Sequence, residues 1–164
     1  MKKLILVALI CAPMSLFAQK FGHVNYQEVL AAMPEMKTAQ TELETLAKQY
    51  EADLQSMQDE FKKKSEAYEK EEATLVENVK QRRQQELQEL YQRIQQSYQD
   101  NQAAMAKAQE EKMQPIQTKL LEAIKAVGDT GGFVYIMQAG ACPYISSTLS
   151  TDVTAQVKAK LGIK

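Results

Sequence analysis

Side chains that could carry out chemistry are few in this sequence, and they lie far apart. The only histidine, His23, falls on the polar side of a predicted strand, and no Cys–His or Ser–His–Asp grouping can be proposed around it. No His or Cys cluster has the spacing of a metal site. Gly128, Gly131 and Gly132 follow a predicted helix, whereas a phosphate loop precedes one. The sequence therefore argues against an enzyme and implies no catalytic residue, metal or cofactor.

The charged residues are numerous, and their positive and negative charges are nearly balanced. The chain has 20 Lys and Arg against 21 Asp and Glu, which argues against a nucleic-acid partner because phosphate binding needs a basic excess. Two basic runs stand out, Lys62-Lys63-Lys64 and the group of Lys80, Arg82 and Arg83. A solvated helix face is their ordinary explanation. The alternative is that a fold brings them together to steer acidic groups or to make peripheral contact with membrane lipids.

The first residues resemble a secretory signal peptide. Lys2 and Lys3 precede an apolar run over residues 4–12, and a small residue, Ala18, follows. The run is too short to span a bilayer, so we expect residues 1–18 to be removed and the mature chain to have no transmembrane segment. Cys142 is then the one remaining cysteine, which excludes an intrachain disulfide.

The elements that must position these side chains are mainly helical. Between Pro34 and Pro115 there is no glycine or proline, and good helix formers dominate the composition. Apolar residues repeat there every three or four positions, which is typical of a coiled-coil seam. Several seam positions are polar, so the predicted seam is incomplete. The apolar positions form two series: Met36, Ala39, Leu43, Leu46, Tyr50, Met57, Phe61, Tyr68 and Leu75, then Leu87, Leu90, Ile94, Tyr98, Met105, Ala108, Ile116, Leu120, Ala123 and Val127.

Two arrangements fit this pattern, one unbroken helix or an antiparallel hairpin. Residues 74–80, TLVENVK, contain the poorest helix formers and lie near the midpoint, which favours a hairpin with its tip there. We therefore predict a helical arm over residues 35–127.

The flanks differ from the arm. Residues 21–26 alternate apolar and polar side chains as a half-buried strand does, and residues 131–140, GGFVYIMQAG, predict a second strand. We also predict a short strand at residues 141–146 and a glycine cap at Gly128 that ends the arm. Residues 19–34 and 128–164 would then form a small β-containing body. The predicted fold class is α+β, mostly α. So small a sheet would gain stability by joining copies from other chains.

The order of these features resembles the Skp/OmpH family of periplasmic chaperones. The resemblance covers the predicted mature chain, from VNY and MPE near its start, through PIxxKLxxAI, to GFVYI and DVTAQVK. It implies a homotrimer in the periplasm of a Gram-negative bacterium, held by the small β body, with coiled-coil hairpins around a cavity. It implies an ATP-independent holdase that binds unfolded outer-membrane proteins and prevents their aggregation.

The resemblance also implies roles for particular residues. The oligomerisation body would use Val24, Tyr26, Phe133, Val134, Tyr135 and Ile136, and the client-binding arm interior would use Met57, Phe61, Tyr68, Leu75, Tyr91 and Tyr98. Well-known members carry arginines midway along the returning arm, where this chain has residues 100–105, DNQAAM, so a lipopolysaccharide site does not carry over. The alternative function is a structural coiled coil, an envelope spacer or an adaptor with one fixed partner, which requires a continuous seam.

Overall fold

The computed structural model describes residues 19–163, so the predicted signal peptide lies outside the described residues. Two compact units are present: Pro34–Gln117 forms one, and residues 19–33 with 118–163, termed the body below, form the other. A long helical hairpin and a small parallel sheet confirm the α+β, mostly α, fold class. The elements in chain order are β1 (Lys20–Val24), α1 (Tyr26–Ala32), α2 (Pro34–Glu71), a 3-10 turn (Glu72–Thr74), α3 (Glu77–Gly131), β2 (Phe133–Gln138), a 3-10 turn (Ala139–Ala141), β3 (Ser150–Asp152) and α4 (Thr154–Lys160).

The sheet has the strand order β2-β1-β3, and both pairings are parallel. A glycine at the centre of β1 leaves room for β2, because a Cβ on Gly22 would lie 3.1 Å from the side chains of both Phe133 and Ile136 and would require them to shift. Phe21 stacks on Tyr135 with a ring-centroid distance of 4.9 Å. The two outer strands leave their far edges without a strand partner among the described residues. The body therefore has a paired centre and open edges.

Short helices complete the core of the body. Asn25 caps α1, since its side-chain oxygen accepts a hydrogen bond from the Glu28 backbone amide at 3.2 Å. The side-chain nitrogen of Asn25 donates to the Glu28 carboxylate at 3.1 Å. Lys158 of α4 forms an ion pair with Glu28 at 2.6 Å. The fully buried side chains of the body come from the short helices and the residues that flank them, and from α3: Val24, Val29, Met33, Val153 and Val157, with Leu120 on α3.

Three local predictions are wrong. Residues 142–149 form no strand, and the third strand is Ser150–Asp152, which is too short and polar to show an apolar alternation. Helix α3 continues past Gly128 to Gly131, and Gly132, with φ of +65°, provides the left-handed exit. Tyr26 begins helix α1 and does not extend the first strand, because the Asn25 cap ends that strand.

The helical hairpin is confirmed, with α2 and α3 antiparallel. Arg83 forms an ion pair with Glu71 at 2.9 Å, and the rings of Phe61 and Tyr91 lie 6.1 Å apart. Further along, Lys112 pairs with Glu42. The interruption between the helices lies at residues 72–76, compared with the predicted tip at 74–80. Its backbone is secured at Glu71, whose carbonyl accepts from Leu75 N at 3.2 Å and Thr74 Oγ1 at 2.8 Å.

Candidate functional site

The six arm residues proposed to bind a client differ in accessibility. Tyr91 and Tyr98 on α3 are 53% and 54% exposed. Met57, Phe61 and Leu75 are half-buried, and Tyr68 is only 9% exposed. The exposed rings therefore belong to α3, and Tyr68 has little free surface for another molecule.

Tyr68 connects the two helices near the tip. Its hydroxyl accepts a hydrogen bond from Gln84 Nε2 at 2.7 Å and donates to Glu72 Oε1 at 3.1 Å. Removal from water and the hydrogen bond to Glu72 raise the pKa of Tyr68 above its ordinary value. These contacts hold α2 against α3 close to the turn.

The middle of the hairpin has no comparable packing. Within the described hairpin, α2 has no buried residue between Ala39 and Tyr68, and α3 has none between Ile94 and Ile116. The apolar side chains of these segments are half-buried or exposed. The incomplete seam predicted from the polar interruptions is therefore present, and its widest gap lies in the middle.

A cavity of about 550 Å³ lies in that gap, within the unit Pro34–Gln117. Ala47, Leu54 and Met105 supply apolar surface, and the tyrosines Tyr50 and Tyr98 also line it. Asn101 lines it too, and its Nδ2 atom is buried without a hydrogen-bond partner. A buried amide without an acceptor is uncommon in folded proteins. In the sequence, Asn101 shows only as a weak seam position.

Three residues of the basic runs near the tip, Lys64, Arg82 and Arg83, have acidic neighbours. Lys64 lies 3.1 Å from Glu60, and Arg82 lies 3.8 Å from Glu86. Arg83 pairs with Glu71 across the hairpin. The hairpin does bring Lys64, Arg82 and Arg83 to one recess of about 300 Å³, as the sequence suggests, but with Glu86 among them. This pairing weakens their capacity to attract an acidic surface.

The body exposes several large apolar side chains on and next to β2. Val134 is 58% exposed, Tyr135 50% and Met137 46%. Tyr144 and Leu149, in the segment between β2 and β3, are exposed by 82% and 75%. Tyr135, Met137, Tyr144 and Leu149 line a groove of about 290 Å³ that also contains the free thiol of Cys142. Apolar exposure of this kind on a small domain makes this groove a candidate interaction surface.

The other four residues predicted for the oligomerisation body are buried or half-buried within the single chain. Val24 is 2% exposed and belongs to the body's own core. Phe133 and Ile136 are half-buried and pack beside Gly22. Tyr26 is half-buried at the start of α1. Of the six residues assigned to oligomerisation, only Val134 and Tyr135 are exposed on the single chain.

Comparison with known proteins identifies the family. The family described as outer membrane protein (OmpH-like) matches residues 20–161. The chain belongs to the OmpH-like family. It is 24% identical to the chaperone protein Skp of Yersinia enterocolitica over 151 residues, which cover 91% of this chain and 92% of that protein. It is 22% identical to the chaperone protein Skp of Pectobacterium atrosepticum over 143 residues, covering 86% and 87%.

A solved structure shares the fold of this OmpH-like chain. A crystal structure described as an OmpH-like outer membrane chaperone from Caulobacter crescentus CB15 superposes with a TM-score of 0.77. The match covers 87% of this chain and 83% of that chain at 15% sequence identity. These chaperone relatives place the chain in a family without enzymatic activity.

One cluster in this OmpH-like chain superficially resembles a hydrolase site. His23 Nδ1 and Ser150 Oγ lie 2.8 Å apart, with Asp152 paired to His23 in the strand register. However, Asp152 Oδ1 accepts hydrogen bonds from Thr154 N at 2.8 Å and Thr154 Oγ1 at 2.5 Å, which lower the pKa of Asp152. The carboxylate is thus used to cap α4, and the cluster holds β3 beside β1. The sequence alone does not reveal this cluster, because Ser150 lies 127 residues after His23 and Asp152 lies further still.

Two further classes of site are absent from residues 19–163. No group of three His, Cys, Asp or Glu side chains in this part of the chain could hold a metal ion. Over the same residues, no helix has the length and apolar character needed to cross a membrane. The remaining candidate surfaces of the OmpH-like chain are the hairpin and the exposed face of the body.

Proposed function

We propose that this chain is an ATP-independent periplasmic holdase, which binds unfolded outer-membrane proteins and prevents their aggregation on the way to the outer membrane. Membership of the OmpH-like family supports the proposal, as do two relatives named as Skp chaperones. The signal-peptide pattern of residues 1–18 supports the periplasmic location. No cofactor is needed, since many weak contacts hold the client.

The observation that carries the proposal is the incompletely packed hairpin. A spacer or adaptor with one fixed partner would gain from a continuous, well-packed seam. Here the middle of the hairpin contains a cavity, and the rings of Tyr91 and Tyr98 are about half exposed. Adaptable aromatic and methionine surface suits unfolded clients of varied sequence. This favours the holdase over the structural alternative.

Assembly into a homotrimer through the body is the second part of the proposal. A sheet of three short strands is near the lower limit for independent stability. Its β2 edge is open, and Val134, Tyr135, Met137, Tyr144 and Leu149 place apolar surface beside that edge. Copies of the chain that pair there would cover this surface. The number three follows from the resemblance of the sequence to the Skp/OmpH family.

The chaperone proposal is tested by diluting an unfolded outer-membrane β-barrel protein from urea, with and without this chain, while light scattering is recorded. We expect a stoichiometric excess of trimer to suppress scattering. The double variant Tyr91→Ala, Tyr98→Ala should suppress it less well. Gln92→Ala with Gln99→Ala, two exposed neighbours on the same helix, is the matched control. Unchanged aggregation with the unmodified chain would refute the proposal.

The body proposal is tested by Val134→Asp, because Val134 is exposed and its replacement leaves the core intact. We expect a charge buried at the interface to convert the trimer to monomers, measured by light scattering coupled to gel filtration. Gln156→Asp, an exposed position on α4, should remain trimeric. A Val134→Asp protein of unchanged mass would show that β2 does not form the interface.

A further inference from the structure

The gap in the middle of the hairpin combines three features. The first is Asn101 Nδ2, the one buried side-chain nitrogen or oxygen in residues 19–163 without a hydrogen-bond partner. A buried donor without an acceptor destabilises the closed arrangement of α2 and α3 around it. A rearrangement that brings an acceptor to Asn101 Nδ2 would remove this penalty. The native closed seam offers none.

The second feature is the space beside this amide. A volume of about 550 Å³ falls within the roughly 300–1,000 Å³ of ligand pockets. Leu54 and Met105 line it, together with the rings of Tyr50 and Tyr98. These are apolar or amphipathic surfaces able to take large side chains. The space is thus suited to large apolar groups, and the amides of Asn101, Gln55, Gln58 and Gln102 add polar groups to its lining.

The third feature is its charge. Among the residues that line this space, Glu51 is the only charged one, and no Lys or Arg is included. An acidic occupant would be repelled, and a neutral or basic one would be accepted. An extended polypeptide meets all three conditions, because its carbonyl groups are acceptors and its side chains alternate between its two faces. A hydrocarbon ligand would leave Asn101 without an acceptor.

We propose that the middle of each hairpin is a binding groove for one extended, neutral-to-basic apolar segment of the client, held between Tyr50 and Tyr98. Asn101 Nδ2 donates a hydrogen bond to a backbone carbonyl of that segment. The contacts on either side, Tyr68 with Gln84 and Glu42 with Lys112, keep α2 and α3 together while the middle opens. This inference rests on the proposed chaperone function, for which it specifies a site and a preferred client chemistry.

The test uses peptide fluorescence, since the chain contains no tryptophan. The probe is a blocked nine-residue peptide of alternating valine and threonine with one central tryptophan and one lysine. A second peptide has glutamate in place of the lysine. We expect the lysine peptide to bind the full chain with a blue-shifted, saturable emission, and the glutamate peptide to bind several-fold more weakly. Equal binding of both peptides would overturn the charge argument.

Variants of Asn101 test the hydrogen bond. Asn101→Leu should weaken binding of the lysine peptide by about fivefold, because one hydrogen bond is lost. It should also raise the melting temperature, since an unpaired buried donor is removed. Asn101→Gln keeps the amide and should bind within about twofold of the unmodified chain. Gln99→Leu, an exposed position on the same helix outside the cavity, is the matched control and should bind normally.

The outcomes separate this inference from the proposed function. Suppression of aggregation without peptide binding, or with equal binding by Asn101→Leu, would overturn the groove and leave the holdase standing. Peptide binding that depends on Asn101, in a chain that does not suppress aggregation, would support the groove and refute the holdase.

Discussion

The body and the hairpin are stabilised in different ways. The body is built from contacts between residues far apart in sequence, such as His23 with Ser150, Asn25 with Thr154 and Glu28 with Lys158. Most side-chain bonds of the hairpin join residues four apart on one helix, as between Glu44 and Lys48. Local bonds favour each helix but specify little about how two helices pack. We therefore expect the body to keep one defined arrangement and the seam of the hairpin to be the less strictly specified of the two.

The body also has a more tightly packed core than the middle of the hairpin. Substitutions of three leucines test this difference. Leu120 is fully buried in the body unit, and Leu121 is 57% exposed. Leu120→Ala should lower the free energy of unfolding by about 2–5 kcal/mol, and Leu121→Ala by less than about 0.5 kcal/mol. Leu54→Ala in the hairpin should cost less than about 1 kcal/mol, because Leu54 already faces a cavity. Urea unfolding at fixed protein concentration measures all three.

An equal loss in the free energy of unfolding for Leu54→Ala and Leu120→Ala would contradict this difference between body and hairpin. That result would mean that the middle of the hairpin is packed like a core, and the argument for an adaptable seam would be lost.

A smaller effect is expected at Asp152, which secures β3 and α4 to the body. Hydrogen bonds from Thr154 hold the pKa of Asp152 below its ordinary value of 3.8. Because the folded pKa is the lower one, this stabilisation is present above about pH 4 and is lost as the pH falls through the folded value. Asp152→Asn keeps an acceptor oxygen but removes its charge, and hydrogen bonds to a charged acceptor contribute more than those to a neutral one, so it should cost about 1 kcal/mol at pH 7 and should flatten the acid limb of stability against pH.

Asp129→Asn is the control for this effect. Asp129 pairs with Lys125 on the surface of α3 at 2.6 Å, so its replacement should change stability by less than about 0.5 kcal/mol. Thermal unfolding followed by circular dichroism from pH 3 to pH 8 distinguishes the two variants. An unchanged acid limb in Asp152→Asn would show that another group controls it.

The contrast between local contacts in the hairpin and long-range contacts in the body also explains which elements the sequence could predict. The hairpin was predictable because its determinants are local: good helix formers, no glycine or proline from residue 35 to 114, and a seven-residue repeat. Strand β1 was predictable from its alternation, and strand β2 from its run of β-branched and aromatic residues after two glycines. Strand β3 was not, because Ser150–Asp152 is defined by its pairing with β1, a long-range contact. The start of α1 was predictable in principle, since Asn25 and Glu28 have the spacing of a capping box.

In the candidate site, too, some features can be read from the sequence and others depend on how the helices pack. Exposed Tyr91 and Tyr98 could be selected as apolar positions of the arm, but their exposure depends on how far α2 and α3 separate. Asn101 could be recognised as a polar interruption of the seam. Its lack of a hydrogen-bond partner depends on which side chains oppose it, and no repeat pattern specifies that. Sequence thus locates the arm and its weak positions, and only the packed hairpin shows which of them leave a cavity.

The smallest effect is expected at Tyr68, where the hairpin is held closed near its tip. Tyr68→Phe removes the hydroxyl that joins Glu72 and Gln84, both exposed enough to turn to water, so the stability loss should be smaller than for Asp152→Asn. Because the folded pKa of Tyr68 is raised above 10.0, its stabilisation is present below pH 10 and is lost as the pH rises through the folded value. The melting temperature of Tyr68→Phe should therefore fall less steeply with rising pH than that of the unmodified chain, as measured by circular dichroism from pH 8 to pH 11. Tyr91→Phe, whose ring is half exposed, should match the unmodified chain at pH 8. If both variants kept the alkaline limb of the unmodified chain, Tyr68 would not be the residue that holds the tip closed.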